Sequence, residues 1–321
     1  MTRPNRTRYA ARLNAFKMKG DSILEMIGRA AAVGDLDTAD LNYPDHFADH
    51  DAREILTRLS DAGMAVNGLA MRYYTDPGFR LGAFTHPDAA VRRAAIDQTK
   101  EGIDTALSMG ARLMTLWMGQ DGFDYAFQMD YARAWDDTVA ALEEVCDHAP
   151  ECDVALEYKP NEPRAFALMP DIGSTLLACR EVERANLGVT LDFAHVLYAD
   201  EMPAHSAYLV SRHSRLMGLH LNDGYAKRDD GLMAGSVHPV QTLELLVEVA
   251  RQDYDGVIYF DTFPDMGGLD PVAEARTSIA LTERLRIIAA ELAADAELGR
   301  AIARQDAAAS TRIVTRALYG A

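Results

Sequence analysis

The sequence predicts an α/β protein built as a closed (β/α)8 barrel with a helical extension at its C-terminal end. Three observations point there. Eight short apolar or β-branched runs alternate with amphipathic stretches over roughly 270 residues, the expected size of eight β-α units. No GlyXGlyXXGly loop follows the first run, which disfavours the rival doubly wound open sheet. The last four runs each carry an acidic or His residue near the C-terminal end: Val-Ala-Leu-Glu157, Val-Thr-Leu-Asp192, Gly-Leu-His220-Leu and Ile-Tyr-Phe-Asp261. An unpaired buried charge costs several kcal/mol or shifts its pKa. Four in succession at the end of a parallel barrel where catalytic groups collect therefore predict one shared site.

The expected strands, in order, are 9–16, 38–43, 65–72, 113–118, 154–158, 187–193, 216–221 and 257–261. Amphipathic periodicity is clearest over 23–32 and 242–250. The stretch 89–99 follows Thr-His-Pro-Asp88, where Asp88 lends charge to a helix N-terminus. The Ala-rich end, from about Leu285 to Leu318, reads as one or more long helices for packing or a subunit interface. No low-complexity linker divides the chain. The expectation is a barrel over 1–284 and an extension over 285–321.

A formal charge of −17 over 321 residues opposes nucleic acid or an anionic membrane as partner. It does not oppose a metal ion or a small neutral molecule. Three cysteines, at 146, 152 and 179, follow no zinc-binding spacing and fit a reducing compartment. The basic start is followed by no apolar run long enough for a signal peptide, and no stretch approaches a membrane span. A cytoplasmic protein is expected.

Each polar position has a structural and a chemical reading. Glu157 and Lys159, two apart in a strand, point to the same side. They form either a buried ion pair or a metal ligand beside a group that polarises a substrate oxygen. Asp192 and His195, in Asp-Phe-Ala-His, are brought together if the strand ends near Asp192 and turns. His220 and Asn222 alternate onto one face, so His220 can reach a metal through one ring nitrogen. Asp229 and Asp230 open a polar loop that Gly231 favours as a solvated turn, with ligation as the alternative. Asp261 completes a set of three carboxylates and one imidazole, suited to a borderline-hard divalent cation. Manganese is the first expectation, with cobalt or magnesium as substitutes. Trp117, the loop 119–125 with Asp121, and Asn222 supply the apolar face and polar edges that a sugar needs. His86, His205, His213 and His238 read as surface or capping residues.

The segments Glu157-Tyr-Lys-Pro-Asn-Glu-Pro-Arg164, Asp192-Phe-Ala-His195 and His220-Leu-Asn-Asp223 with Asp229-Asp230 resemble the xylose isomerase-like TIM barrel superfamily. The resemblance runs from Arg12-Leu-Asn-Ala-Phe-Lys17 to Asp261-Thr-Phe-Pro-Asp265 and is nearest to the rhamnose-isomerase-like sugar isomerases. It implies a first cation on Glu157, Asp192, His220 and Asp261, and a second drawing on His195, Asp229 and Asp230. It further implies aldose–ketose isomerisation of an unphosphorylated neutral sugar by a metal-assisted hydride shift between C1 and C2, with Lys159 polarising the carbonyl and Asp229 orienting the group that moves the hydroxyl proton. It also implies a homo-oligomer. The family loop usually reads Asp-Asp-Asp, whereas the third position here is Gly231, which weakens the second cation.

Other functions share this scaffold. A ketose 3-epimerase uses one ion and typically two glutamates; Asp261 is a methylene shorter, whereas the missing third Asp favours it. Subunits that cleave carbon-linked glycosides work with a small partner chain. DNA-repair endonucleases with this fold need more His ligands and a less acidic surface. A non-catalytic sugar-binding or assembly role is the remaining class.

Overall fold

The computed structural model describes residues 7–320. In chain order the strands are β1 (Tyr9–Ala11), β2 (Thr38–Tyr43), β3 (Ala65–Met71), β4 (Leu113–Leu116), β5 (Gly122–Phe123), β6 (Asp153–Glu157), β7 (Phe166–Ala167), β8 (Leu187–Asp192), β9 (Leu216–Leu221) and β10 (Ile258–Phe260). Eight of them form one parallel sheet in the order β1-β10-β9-β8-β6-β4-β3-β2. Helices cover its outer face, as the (β/α)8 expectation requires. The strands are near-continuous apolar runs because both faces are buried: β8 is buried at all six positions.

The ring meets between β1 and β2 without a regular ladder. There the Asp37 N–H donates to Tyr9 O (2.9 Å), and the Asp37 carboxylate accepts the Tyr9 N–H (3.0 Å). One loop residue thus satisfies both backbone groups of a fully buried strand residue. The Tyr9 hydroxyl donates to Glu283 (2.6 Å), tying the same junction to the outer helix Pro271–Ala293.

The first run ends sooner than its apolar pattern suggests. Leu13–Phe16 forms a 3-10 turn, with Leu13, Ala15 and Phe16 buried and the Asn14 side chain against His46 (2.9 Å). Apolar content alone does not distinguish a buried turn from a strand. Outside the barrel, β5 and β7 pair antiparallel, with Phe123 stacked on Phe166 at 5.2 Å. Arg164 reinforces this clasp by donating to Asp124 (2.7 Å) and Gln120 O (3.2 Å). The helix Pro271–Ala293 runs through residue 285 and buries Ala275, Ile279, Leu285, Ile288 and Leu292 on one side. Helices Ala296–Ala303 and Ala307–Tyr319 follow. No helix among the described residues is long and apolar enough to cross a membrane.

Replacing Asp37 by Ala should lower unfolding stability by about 1–3 kcal/mol, because the Tyr9 N–H is left unpaired at the junction. Urea denaturation checks this; an unchanged midpoint means the barrel closes without the carboxylate.

Candidate metal centre

The C-terminal ends of β6, β8 and β9 and the residue after β10 deliver Glu157, Asp192, His220 and Asp261 to one point. One ligand atom from each lies within 4.8 Å of all the others. Pairing fixes the alignment: Glu157 sits beside Thr190 on β8, and Asp192 beside His220 on β9. His220 Nδ1 is 3.3 Å from Glu157 Oε1 and 3.9 Å from Asp192 Oδ2. It is buried and makes no hydrogen bond. Its ring packs on Tyr259, centroids 4.5 Å apart.

Asp192 ends its strand and caps the next helix, Phe193–Tyr198, by accepting the His195 N–H (3.0 Å). The four-residue spacing of Asp-Phe-Ala-His therefore does mechanical work: the cap turns the chain and brings His195 back over the cluster. His195 Nδ1 lies 3.6 Å from Glu157, and Nε2 lies 3.1 Å from Asp229 Oδ2. The same Asp229 oxygen accepts from Lys159 Nζ (3.2 Å), which also meets Glu162 (2.9 Å) and lies 5.1 Å from the centre of the Trp117 ring.

The electrostatics reflect anions crowded in a buried space. Burial, only partly offset by Arg12 and reinforced by Asp192 and Glu157, lifts Asp261 to about 7. Burial also raises Asp192. Burial opposes charge on His220, but Glu157 and Asp192 outweigh it and lift the ring to about 9. His195 rises to about 10 against its burial because Asp192 and Asp229 surround it. Asp229 is depressed despite burial by His195 and Lys159. Lys159 is raised despite burial by Asp229 and Glu162. Protons on the imidazoles are thus compensating carboxylates that a cation would also compensate. Three carboxylates, one unbonded ring nitrogen and a 4.8 Å spread fit a divalent ion.

Two expected substrate contacts have other surroundings. Asn222 is buried, with Nδ2 donating to Asp192 (3.0 and 3.2 Å) and Asp261 O (3.2 Å), and Oδ1 accepting the Ala194 N–H (2.8 Å). It orients the Asp192 carboxylate and holds the Asp261 main chain. Asp121 is fully enclosed, accepting from Ala83 N–H, Thr85 N–H and the Thr85 hydroxyl; burial raises its pKa. It anchors the loop after β3. Trp117 does line the cavity above the cluster, which measures about 410 Å³.

Asp230 turns back onto its own loop, accepting from the Tyr225 N–H (2.8 Å) and Arg228 Nε (2.7 Å). Gly231 has φ +58°, and a Cβ there would come within 2.3 Å of the Phe263 ring. His238 does act at a helix start: it precedes Pro239–Arg251 and, with its own N–H, bonds to Asp223 (2.8 Å each).

Among the cavity residues that escaped the sequence reading are Arg12, Asp40, Arg72 and Tyr74. Arg12 follows β1, and Arg72 follows β3. The rule applied to the last four strands, a polar residue where an apolar run ends, marks both. Asp40 lies inside β2, where burial lifts its carboxyl to about 6.

Residues 29–285 match the sequence profile of the xylose isomerase-like TIM barrel family. The chain belongs to that family. Among family relatives, the xylose isomerase of Thermus thermophilus is 28% identical over 224 residues, covering 68% of this chain and 58% of the relative. That of Thermus caldophilus is 27% identical over 249 residues, covering 75% and 64%. The chain thus spans less than two thirds of either relative's length. A D-tagatose 3-epimerase-like protein superposes with a TM-score of 0.73 at 16% identity, over 88% of this chain and 98% of the other. An L-ribulose 3-epimerase gives 0.73 at 16%, over 91% and 99%. At that identity the likeness is one of fold.

Because a cation must displace the His220 proton, metal affinity should rise with pH toward about 9 and fall below it. Titration calorimetry with Mn²⁺ in two buffers of different ionisation enthalpy at pH 7 should register proton release; none would remove His220 from the ligand set. Asn222→Ala should weaken Mn²⁺ binding by about 10–100-fold. A variant with intact metal affinity and impaired sugar binding would make Asn222 a substrate contact instead.

Proposed function

We propose that this chain is a divalent-metal-dependent aldose–ketose isomerase acting on an unphosphorylated sugar. The observation that carries the reading is the string Lys159–Asp229–His195, hydrogen-bonded through one carboxylate oxygen beside Glu157 of the cluster. Isomerisation moves a hydrogen between C1 and C2 and a proton between O2 and O1. Lys159, kept protonated by Asp229 and Glu162, is placed to donate toward a carbonyl oxygen. Asp229, an anion held between Lys159 and His195, is placed to orient the group that takes the hydroxyl proton. A divalent cation on Glu157, Asp192, His220 and Asp261 supplies Lewis acidity to adjacent substrate oxygens, and Mn²⁺ suits the donor set best. The relatives named as xylose isomerases support the same reaction class.

One observation favours a second reading, a ketose 3-epimerase. Asp230 is engaged within its loop, and position 231 has no carboxylate, so only Asp229 and His195 remain for a second cation. A single-ion site would pass the migrating hydrogen through a titratable base. The fold neighbours named as 3-epimerases are compatible with this.

Turnover of an aldose by the Mn²⁺-loaded protein in D₂O should leave the ketose largely unlabelled, and Asp229→Asn should abolish it. Deuterium at C3 would establish the epimerase; deuterium at C1 or C2 would replace the hydride shift by enediolate chemistry. Lys159→Met should reduce kcat by about 10²–10⁴-fold with Mn²⁺ affinity retained. Normal turnover by this variant would reduce Lys159 to a structural ion pair.

A further inference from the structure

The cavity above the cluster carries cations as well as carboxylates. Arg12 and Arg72 both line it, from the ends of β1 and β3. In the strand order these positions flank β2 and lie across the ring from β6 and β9, which bring Glu157 and His220. The seventh and eighth barrel strands, β9 and β10, contribute no such groups to the cavity.

The Arg72 guanidinium is not fully matched. Arg72 lies over the Tyr74 ring, 4.4 Å from its centre. The carboxylate within ion-pair range, Asp45, is 3.9 Å away, beyond hydrogen-bond length, and the buried Nε has no partner. An unsatisfied buried donor on a permanently charged group is costly unless something else meets it. Arg12 donates to Asp265 (2.8 Å), stands 3.8 Å from Asp261 and packs over Phe263, 4.8 Å from the ring centre. Stacking fixes the plane of each guanidinium and leaves edge donors for a planar oxyanion. The Tyr74 phenol feels both charges, so the two act on one region of the cavity.

We propose that the substrate is a sugar acid whose carboxylate is held by Arg72, with Arg12 beside it, on the cavity wall across the ring from Glu157 and His220. The inference rests on the isomerase reading only in taking that cluster as the reacting end. A carboxylate suits the pair better than a phosphate. Phosphate sites in such barrels use backbone N–H groups at a helix N-terminus, whereas this wall offers side-chain forks. At about 410 Å³ the cavity admits a six-carbon acid.

The test is calorimetric binding to the Mn²⁺-loaded protein of glucuronate, galacturonate and gluconate beside glucose, galactose and xylose. Wild type and the Arg72→Met, Arg72→Lys and Arg12→Met variants are compared, with circular dichroism confirming folding. At least one acid should bind tenfold or more tighter than its neutral counterpart. That ratio should fall at least tenfold in Arg72→Met and be partly restored in Arg72→Lys. Equal affinity for acids and neutral sugars overturns the proposal. So does a preference that survives both Met substitutions, which would place the carboxylate on the metal, or tighter binding of the matching sugar phosphates. Binding preference without turnover of any sugar would leave this inference standing and sink the isomerase reading.

Discussion

The Asp192 carboxylate is the interaction on which the site depends. It terminates β8, caps the helix that follows, accepts from the Asn222 amide with both oxygens and stands among the four candidate ligand groups. The tasks are compatible because the donors that meet it differ in kind, a backbone N–H and a side-chain amide. Together they fix the carboxylate before any cation arrives, so its buried charge is oriented rather than merely tolerated. Asn222 extends this control to β10 by holding the Asp261 carbonyl.

Two sets of acidic side chains in this chain have a clear physical role. Part is capping: Asp51, Asp88, Asp130, Asp171, Asp270, Asp295 and Asp306 each accept an N–H at a helix start, where the helix dipole favours an anion. The other part is concentrated inside the barrel, where Glu157, Asp192, Asp229 and Asp261 are balanced by His195, His220, Lys159 and Arg12. The net charge of −17 is therefore a poor guide to what the cavity attracts. Arg12 and Arg72 put cationic groups on the wall of that same cavity.

The barrel was legible because its signal is local. An apolar run followed by an amphipathic stretch repeats eight times, and the charge at each far end has no use in isolation. Glu157, Asp192, His220 and Asp261 could be joined for that reason. What escaped depended on contacts between distant segments. Asp121 is a loop anchor only because residues 83–85 fold over it. Asn222 faces carboxylates because Asp192 and Asp261 flank its strand. Arg12 and Arg72 stand at run ends like the cluster residues, but only the ring order shows that β1 and β3 bring them to one mouth. The short β5–β7 pair is beneath the length at which alternation is recognisable.

Gly231 links the metal-site loop to the wall of the cavity. Its left-handed backbone tolerates few side chains, and the space a side chain would need is filled by Phe263, whose N–H also bonds to the Gly231 carbonyl (2.8 Å). Positions 231 and 263 are consequently expected to vary together. A lineage that gained an acidic group at 231 would have to shrink or relocate the aromatic ring as well, and neither change is favourable alone. Such coupled positions divide a family into separate sequence islands. Family members with a carboxylate at the position of Gly231 are expected to carry a smaller residue at that of Phe263, and a chain with the aromatic ring to keep the glycine.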